Sequence, residues 1–229
     1  MLSPEEASQI VNDAEDLQFK SLGSEYPQWY RNNERILLRC THLRNILWDR
    51  IKVHLKYKDI QNRRPYGFHN EGFWIPVTIN EVFKVSKYYK GTRFAKHIDG
   101  NFLLSEDLRS VFTVIVYLND EFEGGETKFY CGENDKDSFL FTPKTGTAVI
   151  FNHDLPHESL NIKKGAKYII RTEILFQRTD YGYCVNPVAF KSDSKYLQVL
   201  DLFKQSEALE AEGNTEGALT KYLEGLNIQ

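Results

Sequence analysis

The sequence predicts a mainly β fold, a barrel or jelly roll, with helices toward both ends of the chain. The segment Val111–Leu118 is β-branched and almost wholly apolar, as in a strand that is buried on both faces. Further short strands are predicted at Glu126–Tyr130, Thr147–Phe151 and Lys167–Phe176, separated by glycine-rich turns. Aromatic residues make up 14% of the 229 residues, which suits a β-rich core.

Two helices are predicted before the strands begin near Ile79. The first covers residues 3–17 and starts with Ser3 as N-cap, followed by a proline and two glutamates that favour a first turn. Apolar residues at helical spacing predict a second helix over Cys40–His54. We expect Tyr26–Arg35 to be irregular and Asn62–Pro76 to form a structured loop.

A helical hairpin is predicted at the other end of the chain, over Lys195–Glu212 and Thr215–Asn227 with Gly213-Asn214 between them. This pair resembles the second half of a tetratricopeptide repeat, although a single repeat cannot bury its own faces. It is either an ordinary packing hairpin or the start of a longer repeat array that binds a protein partner. The predicted domains are a helical support (1–78), a β core (79–180) and a C-terminal extension (181–229).

Composition excludes several classes of protein. The net charge is −3, so no nucleic-acid or membrane partner is indicated. The three cysteines (Cys40, Cys131 and Cys184) are an odd number without CxxC spacing, which argues against a disulfide framework and a zinc-thiolate site. We therefore expect a soluble protein of a reducing compartment, cytoplasmic with the nucleus left open, and not secreted.

A candidate metal site starts from His97 and Asp99, which are two apart on a strand-like segment and so share one face. A distant histidine, His157, would complete the two-histidine, one-carboxylate triad that is typical of non-haem iron(II) oxygenases. His153 lies four residues before His157 and is the competing ligand. Taken alone, the His-x-Asp pair is better explained as a surface pair that binds nothing.

The ordered motifs of the chain carry more information than this pair. They are Tyr88-Tyr89-Lys90-Gly91, His97-Ile98-Asp99-Gly100, Val114–Asn119, Gly124-Gly125-Glu126-Thr127, Gly146–Phe151, His157-Glu158 and Gly165-Ala166-Lys167-Tyr168. This succession resembles the 2-oxoglutarate- and iron-dependent oxygenases of the prolyl 4-hydroxylase type, over roughly residues 1–178. The resemblance implies a double-stranded β-helix of the jelly-roll kind and makes His97, Asp99 and His157 the iron ligands. It also favours His157 over His153.

The resemblance further implies a binding site for 2-oxoglutarate. Lys167 stands where such enzymes place the basic anchor of the distal carboxylate, and Arg171, four residues on, is the rival anchor. Tyr117 matches a tyrosine that helps to hold this carboxylate, and Thr113 shares its face. Tyr89 matches another pocket tyrosine, with a core role as the alternative. Implied cofactors are Fe(II), 2-oxoglutarate as cosubstrate, O2 and ascorbate as reductant.

The implied reaction hydroxylates a C–H bond, with succinate and CO2 as co-products. A prolyl residue of a protein or peptide is the leading substrate; a small molecule or a different side chain is the alternative. A catalytically silent interaction module that works through the hairpin is the hypothesis from another class. The basic run Lys84–Lys96 would attract an anionic substrate or form a solvated strand face. The acidic loop Asn119–Thr145 is either a lid, moving chiefly over Cys131–Phe139, or a plain surface loop.

Overall fold

The computed structural model describes residues 1–23, 25–67, 69–132, 136–179 and 194–228. Two compact units interleave along the chain. The first consists of residues Met1–His54, Ile79–Gly100 and Phe112–Glu173, and the second of Leu55–Thr78, Asn101–Val111 and Ile174–Gln229. The predicted domains, in contrast, are continuous segments. Cys184 lies outside the described residues, and Cys40 and Cys131 are free thiols.

The secondary structure is mainly β, as predicted. The helices are α1 (Pro4–Asp16), α2 (Thr41–Lys52), α3 (Tyr57–Ile60), α4 (Ser194–Ala211) and α5 (Thr215–Ile228). The strands are β1 (Lys20–Ser21), β2 (Glu34–Arg39), β3 (Phe73–Ile79), β4 (Val82–Tyr89), β5 (Phe94–His97), β6 (Leu103–Ser105), β7 (Leu108–Tyr117), β8 (Glu123–Gly124), β9 (Thr127–Phe129), β10 (Phe139–Phe141), β11 (Ala148–Asn152), β12 (His157–Ser159), β13 (Ile162–Lys164) and β14 (Ala166–Thr179).

Two antiparallel sheets build the first unit. The larger follows the order β1-β2-β4-β14-β7-β11, and the smaller follows β10-β9-β12-β5, with β8 and β13 as a separate pair. Aromatic and branched side chains form its core, among them Tyr88, Ile115, Tyr117, Phe129 and Phe151. This architecture confirms the predicted jelly-roll class.

The two N-terminal helices are confirmed, and their ends follow from local chemistry. Ser3 and Glu6 form a capping box, in which each side chain accepts a hydrogen bond from the other residue's backbone N–H. The Glu6 carboxylate also accepts two hydrogen bonds from the Arg50 guanidinium of α2, each 2.7 Å long. At the end of α1, the Glu15 carboxylate pairs with Lys87 of β4 at 2.7 Å. Helix α1 therefore lies on one face of the large sheet.

Strand register determines which residues face away from α1. Lys167 of β14 pairs with Tyr88 of β4, and Arg171 pairs with Lys84. Because side chains alternate along a strand, these residues lie on the face opposite Lys87. That face is turned to the interior, where Lys167 is 1% exposed and Tyr88 is 3% exposed.

The second unit contains the predicted helical hairpin. Phe203 of α4 stacks on Tyr222 of α5, with ring centroids 5.2 Å apart. Gly225 permits this approach, since a Cβ there would lie 2.5 Å from the Phe203 ring. The Leu103 N–H donates to the Glu207 carboxylate at 2.9 Å, which ties β6 to α4. Among the described residues, no helix combines the length and apolar surface that a bilayer span requires.

Several elements differ from the sequence predictions. β2 starts at Glu34, at the end of a stretch expected to be irregular, and β3 starts at Phe73, inside the expected loop. The acidic segment Asn119–Thr145 contains β8, β9 and β10, so it is not one long loop. Residues 133–135 of the predicted lid lie outside the described residues, and the lid remains a prediction.

Candidate metal centre and cosubstrate pocket

His97, Asp99 and His157 come together as one group. β5 and β12 are neighbours in the small sheet, with His97 directly opposite His157. The Nε2 atoms of these histidines lie 3.8 Å from Oδ1 and Oδ2 of Asp99, respectively. One ligand atom from each residue falls within 4.8 Å of the others, which is the geometry of a group that can hold a metal ion.

Both histidines have a fixed tautomer. Nδ1 of His97 lies 2.7 Å from the carbonyl oxygen of Ala95, and Nδ1 of His157 lies 3.0 Å from that of Leu155. A carbonyl only accepts, so each Nδ1 carries the proton and each Nε2 keeps its lone pair for a metal. Burial, followed by the neighbouring His157, lowers the pKa of His97 to about 3. His97 is therefore neutral at pH 7.

Asp99 is ionised although it is buried. Burial opposes its ionisation, but the positive charge of Arg171 holds the pKa of Asp99 below its usual range. An Arg171 nitrogen lies 2.8 Å from Oδ1 of Asp99. The Thr113 hydroxyl donates to Oδ2 at 2.6 Å. Both carboxylate oxygens are thus held in place by neighbouring side chains.

His153, the competing ligand, is a buried neighbour of the group. Its Nδ1 lies 2.9 Å from the Thr113 hydroxyl. That hydroxyl has a single proton, which it gives to Asp99, so Nδ1 of His153 is the donor in this contact. Burial lowers the pKa of His153 to about 4. The structure therefore places His153 behind Asp99, outside the metal-binding group.

Lys167 forms the centre of a second polar cluster. Its Nζ donates to the carbonyl oxygen of Gly125 at 2.7 Å and to the Ser159 hydroxyl at 2.5 Å. The same Nζ lies 4.7 Å from the centre of the Tyr88 ring. All three partners are neutral, and burial lowers the pKa of Lys167 to about 7. A buried ammonium with neutral partners is suited to bind a carboxylate.

Tyr117 extends this cluster. Its hydroxyl lies 2.6 Å from the Thr127 hydroxyl, and Thr127 is the strand partner of Ser159. Burial raises the pKa of Tyr117, so its hydroxyl stays protonated as a hydrogen-bond donor. Tyr117, Thr127, Ser159, Lys167 and Tyr88 together make up what we call the lysine pocket.

Three residues of the predicted cosubstrate set lie outside the lysine pocket, and one of them is Arg171, which contacts Asp99. Tyr89 is 39% exposed at the end of β4, and the adjacent Tyr88 takes the interior position because consecutive strand residues face opposite ways. The pocket role of Tyr89 is therefore wrong. Thr113 contacts Asp99 and not the lysine pocket.

Sequence reasoning also missed three members of the lysine pocket: Tyr88, Thr127 and Ser159. The sequence did contain a signal for Ser159, because this serine replaces the glycine that often follows His-Glu in the family that the sequence resembles. Its hydroxyl accepts a hydrogen bond from Lys167, which gives the substitution a physical role.

The donor set fits a first-row metal ion of the iron(II) kind, because two neutral imidazoles and a carboxylate occupy one side and leave positions open. A jelly-roll interior with this triad and a buried lysine is typical of metal-dependent oxygenases. Residues 83–172 match the family model described as the 2OG-Fe(II) oxygenase superfamily. The central part of the chain is therefore similar in sequence to this superfamily.

Solved structures share the fold. A Pseudomonas putida prolyl-4-hydroxylase has a TM-score of 0.53 at 12% identity, covering 78% of this chain and 89% of that one. A viral collagen prolyl hydroxylase of Paramecium Bursaria Chlorella virus-1, solved as a 2OG complex, has a TM-score of 0.50 at 19% identity, with coverages of 78% and 92%. A Trichoplax adhaerens prolyl hydroxylase, in complex with a hypoxia inducible factor peptide, has a TM-score of 0.52 at 17% identity, with coverages of 73% and 74%.

One curated relative matches in sequence. It is the uncharacterized protein FPV006/FPV255 of Fowlpox virus (strain NVSL), which is 28% identical over 102 residues. The match covers 44% of this chain and 23% of the viral protein, so the chain corresponds to under a quarter of that relative's length.

Proposed function

We propose that the protein is an Fe(II)- and 2-oxoglutarate-dependent hydroxylase. The observation that carries this proposal is the His97–Asp99–His157 group, with both Nε2 lone pairs and the carboxylate within 4.8 Å of one another. When bound, iron(II) with 2-oxoglutarate and O2 would supply the oxidant for a C–H bond, yielding succinate and CO2. The chain's own part is to bind, orient and shield these groups.

The residues divide this work between two regions. His97, Asp99 and His157 would hold the metal, with the carbonyls of Ala95 and Leu155 fixing the imidazoles. Lys167 would pair with the distal carboxylate of 2-oxoglutarate, and the Tyr117 hydroxyl would donate to it. Because the lysine pocket is buried, this charge pair is little screened by water.

We further propose that the substrate is a prolyl residue of a protein or peptide, with ascorbate as the reductant. The shared fold with solved prolyl hydroxylases supports this choice. A small molecule is the alternative substrate.

Two measurements test these proposals. The first follows succinate release from labelled 2-oxoglutarate with Fe(II) and ascorbate, comparing the wild type with Asp99→Ala and with the exposed control Asp154→Ala. We expect turnover in the wild type and the control and none in Asp99→Ala. Absence of turnover and of metal binding in the wild type would instead favour the silent interaction module. The second searches by mass spectrometry for oxidised prolines in peptides incubated with the active enzyme.

A further inference from the structure

A group of arginines lies beside the metal centre. Arg171 contacts Oδ1 of Asp99, and Arg31 reaches the same edge of the triad through an aromatic stack. The Arg31 guanidinium carbon lies 4.2 Å from the centre of the Phe94 ring. Phe94 in turn stacks on His97, with ring centres 3.5 Å apart and planes at 15°. Arg31 and Arg171 therefore flank the His97–Asp99 edge.

Arg35 belongs to the same group. It pairs with Ser86 of β4, which lies opposite Ile169 of β14, so Arg35 shares the interior face with Arg171. It is 6% exposed. The charges of Arg31, Arg171 and Arg35 all act on the buried Tyr88 hydroxyl, opposing the rise that burial causes in its pKa. The three guanidinium groups thus converge on one region of the interior.

The partners of Arg31 show that this region suits an anion. Its Nε donates to the Asn33 amide oxygen at 2.9 Å, and its other contacts are the Phe94 and Tyr26 rings. None of these groups carries a negative charge. Removing a guanidinium from water without a counter-charge is costly, and a bound carboxylate would offset that cost.

The charge balance of the loaded site points the same way. Among the described residues, Asp99 and Glu173 are the fully buried carboxylates. Glu173 lies 3.5 Å from Arg171 and 3.9 Å from Lys84, so it already serves two cations. The two positive charges of iron(II) and the two negative charges of 2-oxoglutarate cancel. The arginines and Lys167 therefore still outnumber the two buried carboxylates in the loaded interior.

We propose that Arg31, Arg35 and Arg171 bind a carboxylate of the primary substrate, beside the bond that is oxidised. This inference rests on the proposed function and narrows its substrate to an acidic one, such as a peptide with a glutamate or aspartate close to its target residue. Lys167 keeps the cosubstrate, because its Nζ is held in the lysine pocket by the Gly125 carbonyl and the Ser159 hydroxyl. Arginine suits the role since its planar group can grip a carboxylate with two parallel hydrogen bonds.

Peptide binding to protein loaded with Mn²⁺ and 2-oxoglutarate tests the proposal without turnover. The probes are two fluorescent mixtures of nine-residue peptides with a central proline. In the glutamate mixture each peptide carries one glutamate, placed in turn at every other position, and in the glutamine mixture a glutamine replaces that glutamate. We expect the glutamate mixture to bind the wild type about tenfold more tightly than the glutamine mixture. In Arg31→Gln the preference should fall below about twofold, in Arg31→Lys it should fall to an intermediate value, and in the exposed control Arg64→Gln it should persist.

Free N-acetylglutamate and N-acetylglutamine form a second pair of probes. Selective binding of N-acetylglutamate without a preference among the peptides would keep the acidic site and assign it to a small molecule. Equal affinities within both pairs of probes would overturn the proposal. So would an Arg31→Gln variant that loses 2-oxoglutarate as fully as Lys167→Met, because the arginines would then serve the cosubstrate. Failure of the proposed function has a separate signature, namely no binding of labelled 2-oxoglutarate by the Mn²⁺-loaded wild type.

Discussion

Burial of Lys167 should make the stability of the protein depend on pH in a defined way. The usual lysine pKa of 10.5 and the value of about 7 in the folded protein differ by about 3.5. Each pH unit is worth about 1.4 kcal/mol, so burying the charged form costs about 5 kcal/mol. Below pH 7, Lys167 is charged in the folded and the unfolded chain, and the full cost is present. Between pH 7 and 10.5 the unfolded chain binds more protons, so the free energy of unfolding rises with pH.

Urea unfolding of the wild type and Lys167→Met checks this magnitude. From pH 6.5 to pH 9.0, the free energy of unfolding of the wild type should rise by about 2.5 kcal/mol relative to that of the variant. Other titrating groups are common to both proteins and cancel in the difference. The exposed control Lys163→Met should show no such change. If the difference in free energy of unfolding between the wild type and Lys167→Met stays constant within about 0.5 kcal/mol over this pH range, the reasoning is refuted.

The same titration should appear in cosubstrate binding, because only the charged lysine pairs with a carboxylate. The affinity of the Mn²⁺-loaded protein for 2-oxoglutarate should fall about tenfold between pH 6 and pH 8. Ser159→Ala removes an acceptor of the ammonium group, so the midpoint of this fall should move to lower pH. An unchanged midpoint in Ser159→Ala would contradict the role assigned to that hydroxyl.

Two further predictions concern backbone geometry and metal binding. Gly146 and Gly91 both have left-handed φ angles, of 76° and 85° respectively. They differ in the room for a side chain: a Cβ at Gly146 would lie 2.1 Å from the Leu2 carbonyl oxygen, whereas a Cβ at Gly91 would meet nothing within 4 Å. Thermal unfolding should therefore show that Gly91→Ala lowers the free energy of unfolding by about 1 kcal/mol and that Gly146→Ala lowers it clearly more. Equal losses of stability in the two variants would contradict the steric argument. Thr113→Val removes the donor to Asp99 and should weaken Mn²⁺ binding about tenfold by calorimetry, whereas Thr113→Ser should retain the wild-type affinity.

The core of the fold and the triad could be predicted from the sequence, since both leave local signals. The apolar run at β7 and the His-x-Asp spacing need no knowledge of distant contacts. The inward face of β4 could not be predicted in this way. Phe83 and Val85 are fully buried on the side of Lys87, whereas Tyr88 is buried on the opposite side. With both faces covered, the alternation of apolar residues does not reveal which face lines the site, so the sequence motif favours Tyr89 whereas the structure turns Tyr88 inward.

The arginine group illustrates a different limit. Arg35 faces inward only because β2 pairs with β4 in a particular register, and Arg35 lies at the end of the stretch that the sequence predicts to be irregular. Its significance also depends on Arg31 and Arg171, which are distant in sequence from each other. A charge count over the whole chain gives −3 and hides this local excess of positive charge. Only the paired strands reveal it.

The arrangement of the first unit explains how one interior keeps two cationic side chains apart. The proposed metal ligands His97 and His157 come from the small sheet, whereas Lys167 and Arg171 come from β14 of the large sheet. Lys167 and Arg171 are four residues apart on one strand, so about 13 Å of backbone separates their Cα atoms. One cation can therefore serve the cosubstrate while the other stays beside Asp99. Exchanging them, as in the double variant Lys167→Arg with Arg171→Lys, should weaken 2-oxoglutarate binding and abolish any preference for acidic peptides, because neither side chain would then match its pocket.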